Sequence, residues 1–319
     1  MLTSGNSTLW TIFAALIIAM LAADLGVFRR AGRVEEMSLR EALLRSVGWI
    51  LVAALFNAGV YTAVGPQQGL EFTAGYLLEE ALSVDNLFVF VLIFETFKVP
   101  STYQHRVLFW GIIGAVVLRG LFIGAGTALV QRFTWVMFVF GAILVWTAWK
   151  LFRGADEDSD PAQNPAFRAF KKVVPSVSEF RGNHFSVREH GKWLATPLLA
   201  VLVLVETSDV LFALDSIPAV FGVTKDPFIV YTSNIFAILG LRSLYFLLAG
   251  IMHRFVYLKT GLAVVLAFVG GKMIVHPWVH VHIAVSLGII AFVLTATIAS
   301  SLIWPPKPKP KSESVRPGA

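Results

Sequence analysis

An all-α polytopic membrane helix bundle, about nine transmembrane helices with a 3+3 inverted repeat among them, is the fold class the sequence predicts. Three observations predict it. The 319 residues are 56% hydrophobic and only 14% charged, against about 25% charged in an ordinary soluble domain. Apolar stretches of about 20 residues recur along nearly the whole length, each long enough to cross a bilayer. The basic residues fall almost entirely in alternate gaps between those stretches.

The predicted spans run about Leu9–Phe28, Leu43–Val64, Phe72–Phe97, Val107–Val130, Phe133–Phe152, Thr196–Gly222, Phe228–Gly250, Phe255–Val275 and His280–Ile303. The first is too long for the apolar region of a secretory leader and has its positive charges after it, so no cleavable signal peptide is expected. Arg29, Arg30, Arg33, Arg40 and Arg45 follow span one, and Lys98 and Arg106 follow span three. Seven Lys or Arg residues from Arg153 to Lys192 follow span five, Arg254 and Lys259 follow span seven, and Lys307, Lys309, Lys311 and Arg316 sit in the tail. The other gaps hold only Glu71, Arg132 and Lys225 as their nearest charges. The positive-inside rule then places the N-terminus outside and the C-terminus in the cytoplasm, as an odd span count requires.

The domain reading follows from these boundaries. Residues 1–69 hold two N-terminal spans and a basic cytoplasmic loop, 70–152 the first three-helix repeat, 153–195 a cytoplasmic linker, 196–276 the second repeat, 277–304 the last span and 305–319 a tail. Ser38-Leu39-Arg40-Glu41 reads as a capping box opening the second helix. In the linker, the acidic run Asp156–Asp160 is broken by Pro161 and Pro165. Phe185–Val187 and Trp193 flank a His190-Gly191 turn suited to a small hairpin. The tail alternates Pro and Lys, an extended, disordered pattern able to touch anionic lipid.

No cysteine is present, so disulfides, thiolate metal ligands and dithiol chemistry are excluded for the chain itself. The net charge of +6 does not point to nucleic acid, because the basic residues lie in loops. No catalytic residues and no permanently bound cofactor are expected. The partners expected are a divalent cation as substrate and the lipid bilayer.

The chemistry lies in acids placed inside spans. A carboxylate at the centre of a membrane helix costs about 2.5–3.5 kcal/mol on insertion scales. This chain carries that cost repeatedly, at Glu79 and Asp85-Asn86 in span three and at Glu206, Asp209 and Asp215-Ser216 in span six. Glu79 to Asp85 and Asp209 to Asp215 share one spacing, and a Lys-x-Pro turn follows each set, at Lys98-Val99-Pro100 and Lys225-Asp226-Pro227. Arg119 and Arg242 stand alone in the spans that come next, and Arg132-Phe133 and Arg254-Phe255 follow in turn. A second register, laying Ser83-Val84-Asp85 on Thr207-Ser208-Asp209, fits the spacing to arginine more closely. In either register the halves lie three spans apart and so cross in opposite directions, the arrangement that transporters use for alternating access around a midplane site.

Packed antiparallel, the two spans are expected to bring Asp85 to the level of Asp209 and Glu79 to that of Asp215. Six residues rise about 9 Å and turn about 120° away from the first position, so one ion reaches all four carboxylates only if the helices unwind. Pro218, with the side chains of Asn86 and Ser216, favours such a break. The other reading is two stacked sites. The ligands on offer are oxygens, which suit Mg2+, Ca2+ and Mn2+ over Zn2+ or Cu+. Arg119 and Arg242 are expected to balance charge and hold helices together. Structural ion pairs and a proton-only pathway are the rival readings of the same residues. Glu80 is expected to turn off the site, Asn57 to make a helix-packing hydrogen bond, and Asp24 and Arg29 to pair at the membrane edge. Lys272 should snorkel, and His276, His280 and His282 gather at the outer mouth, where a metal role is the lesser reading. The glycines of Gly111–Gly126 need mean only close helix contact.

The stretch Leu78-Glu79-Glu80-Ala81-Leu82-Ser83-Val84-Asp85-Asn86-Leu87-Phe88-Val89-Phe90 resembles the first signature of the TerC/Alx family of bacterial membrane proteins. Val205–Ala219, continuing through Asp226–Val230 to Thr232–Arg242, resembles the second. The resemblance covers about Leu9 to Ile303 and is nearest to the longer, Alx-like branch. It implies manganese efflux across the cytoplasmic membrane, linked to alkaline pH response, with older labels of tellurium resistance and redox modulation. It places the family's motif residues on Glu79, Asp85, Asn86, Glu206, Asp209, Asp215 and Ser216. The chain departs from the pattern at Glu80, where many relatives carry a basic residue. The expectation is therefore an exporter of Mn2+ or other hard divalent cations. The alternative is a non-transporting factor that assists insertion or metallation of exported proteins, with the protein-export machinery as partner.

Overall fold

The computed structural model describes residues 5, 7–30, 38–153, 164–189, 191–249, 257–279 and 281–304. Among them, ten helices and one hairpin occur in the order α1 (Ser7–Arg30), α2 (Leu39–Ala63), α3 (Pro66–Thr96), α4 (Ser101–Arg132), α5 (Val136–Phe152), α6 (Pro165–Val173), β1 (Ser186–Glu189), β2 (Lys192–Ala195), α7 (Pro197–Phe221), α8 (Pro227–Leu248), α9 (Leu258–Val275) and α10 (Ile283–Ile303). The fold is all-α apart from that hairpin. Six helices, α2, α4, α7, α8, α9 and α10, are long and apolar enough to cross a membrane. In α1 and α5 the apolar runs are shorter, and α3 has Glu79, Glu80 and Asp85 in its middle. Outside the described residues lie the acidic run of the linker, the Arg254-Phe255 pair, His280, the tail, and the side chains of Asp24 and Arg29.

Local sequence explains where the helices begin. Pro66, Pro197 and Pro227 occupy first-turn positions of α3, α7 and α8, where a missing N–H costs nothing and the fixed φ already suits a helix. Gly65, at φ 149°, makes the turn into α3 that a side chain would resist. Ser38 caps α2 by accepting a 3.2 Å hydrogen bond from the Glu41 backbone N–H. The reciprocal arm of the expected capping box is replaced, because the Glu41 carboxylate pairs with Arg45 one turn on. Asn57 donates to Thr73 Oγ1 at 2.8 Å, the expected hydrogen bond between α2 and α3. The expected break at Pro218 is absent, and α7 runs through it to Phe221. Pro218 lies within the last turn, where its missing N–H removes one bond, to the Leu214 carbonyl, and only one turn of helix follows it.

Packing places α8 at the centre. Its most apolar window is 89% buried, with α1, α2, α3 and α4 around it. The helix α7 packs against α3, α4 and α5, while α9 packs against α5 and α10, and α10 also touches α3. Small residues set the closest approaches. A Cβ on Gly141 of α5 would stand 2.9 Å from the Gly270 carbonyl oxygen of α9, and one on Gly270 would stand 2.8 Å from that of Gly141. Gly141→Leu is therefore expected to wedge α5 from α9 and destabilise the bundle by about 1–3 kcal/mol, read as a lowered unfolding temperature in detergent. An unchanged temperature would mean that the two backbones do not touch in this way.

One end of the bundle is covered by α6 and the hairpin. Phe167 of α6 stacks edge-on against Phe97 just past α3 at 5.0 Å, and Phe180 lies 6.1 Å from Tyr103 of α4. The Arg106 guanidinium lies 5.0 Å over the Phe185 ring. Ser186 pairs with Ala195 and Glu189 with Lys192, and Gly191 takes φ 78° in the connection, as the hairpin reading requires.

Candidate functional site

Four helices bring one guanidinium into contact with two carboxylates. Arg119 of α4 and Glu79 of α3 are fully buried, and Asp209 of α7 is nearly so. Arg119 grips Asp209 with a fork, Nη2 donating to Oδ1 at 2.8 Å and Nε to Oδ2 at 3.2 Å. Its Nη1 pairs with Glu79 Oε1 and lies 3.4 Å from Ser216 Oγ and 3.3 Å from Asn234 Oδ1. Asn234 of α8 completes the ring by donating from Nδ2 to Glu79 Oε2 at 2.9 Å. Taking such charges out of water costs several kcal/mol per ion, and only close, multiply bonded partners offset it. The bidentate fork and the bridging amide supply those partners.

The pairing differs from the expected one. Glu79 meets Asp209, not the level of Asp215, through the arm of Arg119. The cause is where the helices begin. With α3 starting at Pro66, Glu79 stands 13 residues from one end and 17 from the other, near mid-helix. Asp209 stands 12 residues from each end of α7. In two helices packed side by side, residues at mid-helix lie at one level.

Helical periodicity sorts the other site residues. Ser216 lies seven residues from Asp209, two turns along the same face, and shares Arg119 with it. Asn86 stands in the same relation to Glu79 and is buried, its Nδ2 without a hydrogen-bond partner. Asp85 and Asp215, six residues from Glu79 and Asp209, turn to other faces and are only half-buried. Thr147 of α5 donates to Asp215 at 2.8 Å. Glu206 lies one turn before Asp209 and presses on α4, where a Cβ on Gly114 would overlap its carboxylate. The Glu206 Oε2 is buried without a hydrogen-bond partner. The Gly111–Gly126 glycines thus do give close contact, and at Gly114 what comes close is a carboxylate. Arg242 is buried and lines a 10 Å³ cavity with Asp209, Phe90, Gly111 and Ala115, room for about one water. Glu80 turns aside, as expected, and accepts from the Tyr76 hydroxyl at 2.7 Å. His282 caps α10 through Nδ1, which accepts from the Ala284 N–H at 3.3 Å. No group of three or more His, Cys, Asp or Glu able to hold a metal occurs among the described residues.

Asn234 and Thr147 went unnoticed as site residues in the sequence. Neither carries a charge, so hydropathy does not mark it. The only signal for Asn234 was its place in the second long signature, one helix away from the acids.

The chain matches the Integral membrane protein TerC family over residues 64–309. It is 52% identical to a Myxococcus xanthus membrane protein, STKORF319, over 94% of this chain and 93% of that one. It is 44% identical to Alx of Escherichia coli K12, described as a proposed membrane-bound redox modulator, over 92% of this chain and 94% of that one. A membrane protein of Rickettsia felis is 40% identical over 92% of this chain and 97% of its own length. No solved structure matches. With a buried charge network held among apolar helices and relatives of matching length that are membrane proteins, the chain belongs to the TerC family of multi-pass integral membrane proteins.

Proposed function

We propose that the protein exports Mn2+, or another hard divalent cation, across the bacterial inner membrane, with the N-terminus outside and the C-terminus in the cytoplasm. In this reading nine helices, α1–α5 and α7–α10, cross the bilayer, and α3–α5 and α7–α9 form an inverted repeat. The packing supports the repeat. The contact of α3 with α8 has its counterpart in α7 with α4, that of α5 with α7 has its counterpart in α9 with α3, and α3–α7, α4–α8 and α5–α9 are each self-matched. The observation that carries the function is the meeting of Glu79 and Asp209, from the two halves, inside the bundle. Around them the five site carboxylates Glu79, Asp85, Glu206, Asp209 and Asp215 outnumber Arg119 and Arg242. Such a balance in a medium of low dielectric favours a cation.

A second reading draws on the closure of the Arg119 network, which makes it a tie between helices in a membrane factor that moves no ion. Redox modulation is the weakest reading, since the chain has no thiol. Purified protein in liposomes separates the first two: entrapped fluorophore quenching by Mn2+ is expected with the wild type and absent from empty vesicles. Absence of flux under every imposed ion gradient would end the transport reading. Glu206→Gln is expected to slow that flux about tenfold or more, as loss of a charge-assisted contact of about 1.5–3 kcal/mol would, with little change in unfolding temperature. Unaltered flux would remove Glu206 from the path.

A further inference from the structure

Five oxygens converge on the Arg119 guanidinium: Asp209 Oδ1 and Oδ2 at 2.8 and 3.2 Å, Glu79 Oε1, Ser216 Oγ at 3.4 Å and Asn234 Oδ1 at 3.3 Å. The three helices presenting them, α3, α7 and α8, lie far apart in the sequence, so the shell exists only in the folded bundle. Two of the accepting groups are carboxylates, and their oxygens take three of the five bonds. Taken without the guanidinium, this is a hard, dianionic shell of five oxygens, of the kind that six-coordinate divalent cations use when one water completes it. A cavity with room for about one water adjoins it at Asp209.

We propose that Arg119 is a displaceable internal cation, and that the transported ion binds in the place its guanidinium holds, with Asn234 as a ligand. The inference rests on the transport reading of this site. A guanidinium carries one positive charge and a divalent ion two, so the exchange leaves the shell neutral where Arg119 alone leaves it with one net negative charge. Arg119 and the ion exclude each other for steric reasons as well as electrostatic ones, since the same oxygens serve both. The arginine closes the shell when no ion is present, which keeps water and monovalent ions from running through it. It also gives the ion a competitor that promotes release. Asp85 and Asp215, on other faces, then belong to the approach and not to the shell.

The test is Mn2+ binding by electron paramagnetic resonance, on the full chain in nanodiscs, alongside Mn2+ flux in liposomes. Arg119→Ala is expected to bind Mn2+ at least tenfold more tightly than the wild type, to lose flux because release is slow, and to be competed by free guanidinium in the buffer at concentrations that leave the wild type unaffected. A merely structural arginine predicts none of the last result. Should Arg119→Ala fail to fold, Arg119→Lys decides: a single ammonium cannot fork across Asp209 while also reaching Glu79, so Mn2+ affinity should rise about threefold or more. A folded variant with wild-type Mn2+ affinity, or one indifferent to guanidinium, overturns the proposal. Tighter, guanidinium-sensitive binding in a protein that shows no flux upholds the shell and ends the transport reading instead.

Discussion

Asp209→Asn is expected to abolish Mn2+ flux in liposomes and to lower stability by about 3 kcal/mol. Asp209 accepts from two nitrogens of Arg119 and is almost wholly buried. The amide keeps the shape and one oxygen, but presents an NH2 to a group that is itself only a donor. Breaking a buried ion pair by removing one partner costs about 3–5 kcal/mol. The lower end applies here because Glu79 still faces the guanidinium. Glu79→Gln should behave alike and add less than fully to Asp209→Asn, since both act on one cation. The measurements are flux against vesicle-incorporated protein and the unfolding transition in detergent. Full flux from a correctly inserted Asp209→Asn protein would mean that no ion depends on this carboxylate. By contrast Asp85→Asn, on a half-buried residue turned to another face, should impair flux with a smaller loss of stability.

Asn234→Leu is the second large effect. Asn234 is fully buried at the centre of the bundle and serves both charges at once, donating to Glu79 and accepting from Arg119. Leucine fills the same space and satisfies neither. Hydrogen bonds to charged groups contribute about 1.5–3 kcal/mol each, and the loss of both should cost about 2–4 kcal/mol once the weaker 3.3 Å contact is discounted. Asn234→Asp separates packing from charge: it restores the volume and the acceptor but puts a third carboxylate beside Glu79. That variant is expected to be destabilised as well and to bind Mn2+ more tightly. If Asn234→Leu unfolds with the wild-type transition, the amide does not bridge the pair.

Much of the architecture was legible because it follows from short-range physics. A helix buried in lipid must be apolar over about 20 residues, and each apolar stretch named from the sequence corresponds to a helix. Proline marked the starts of α3, α7 and α8, and serine capped α2, because those residues act on backbone groups within one turn. The separation of Glu79 from Asp85, and of Asp209 from Asp215, onto different faces also follows from helical period alone. The sequence likewise marked Glu79, Asp209 and Ser216 as polar groups where oil was due.

What only the tertiary structure decided is who meets whom. An early start at Pro66 shifted Glu79 to mid-helix and opposite Asp209. Pro218 left α7 whole, because only one turn of helix follows it. Asn234 and Thr147 became partners through helices 155 and 68 residues away in the chain. Each outcome depends on relative helix depth and on the reach of one long side chain. Those are set by the fit of whole faces against each other, which no local pattern of residues records.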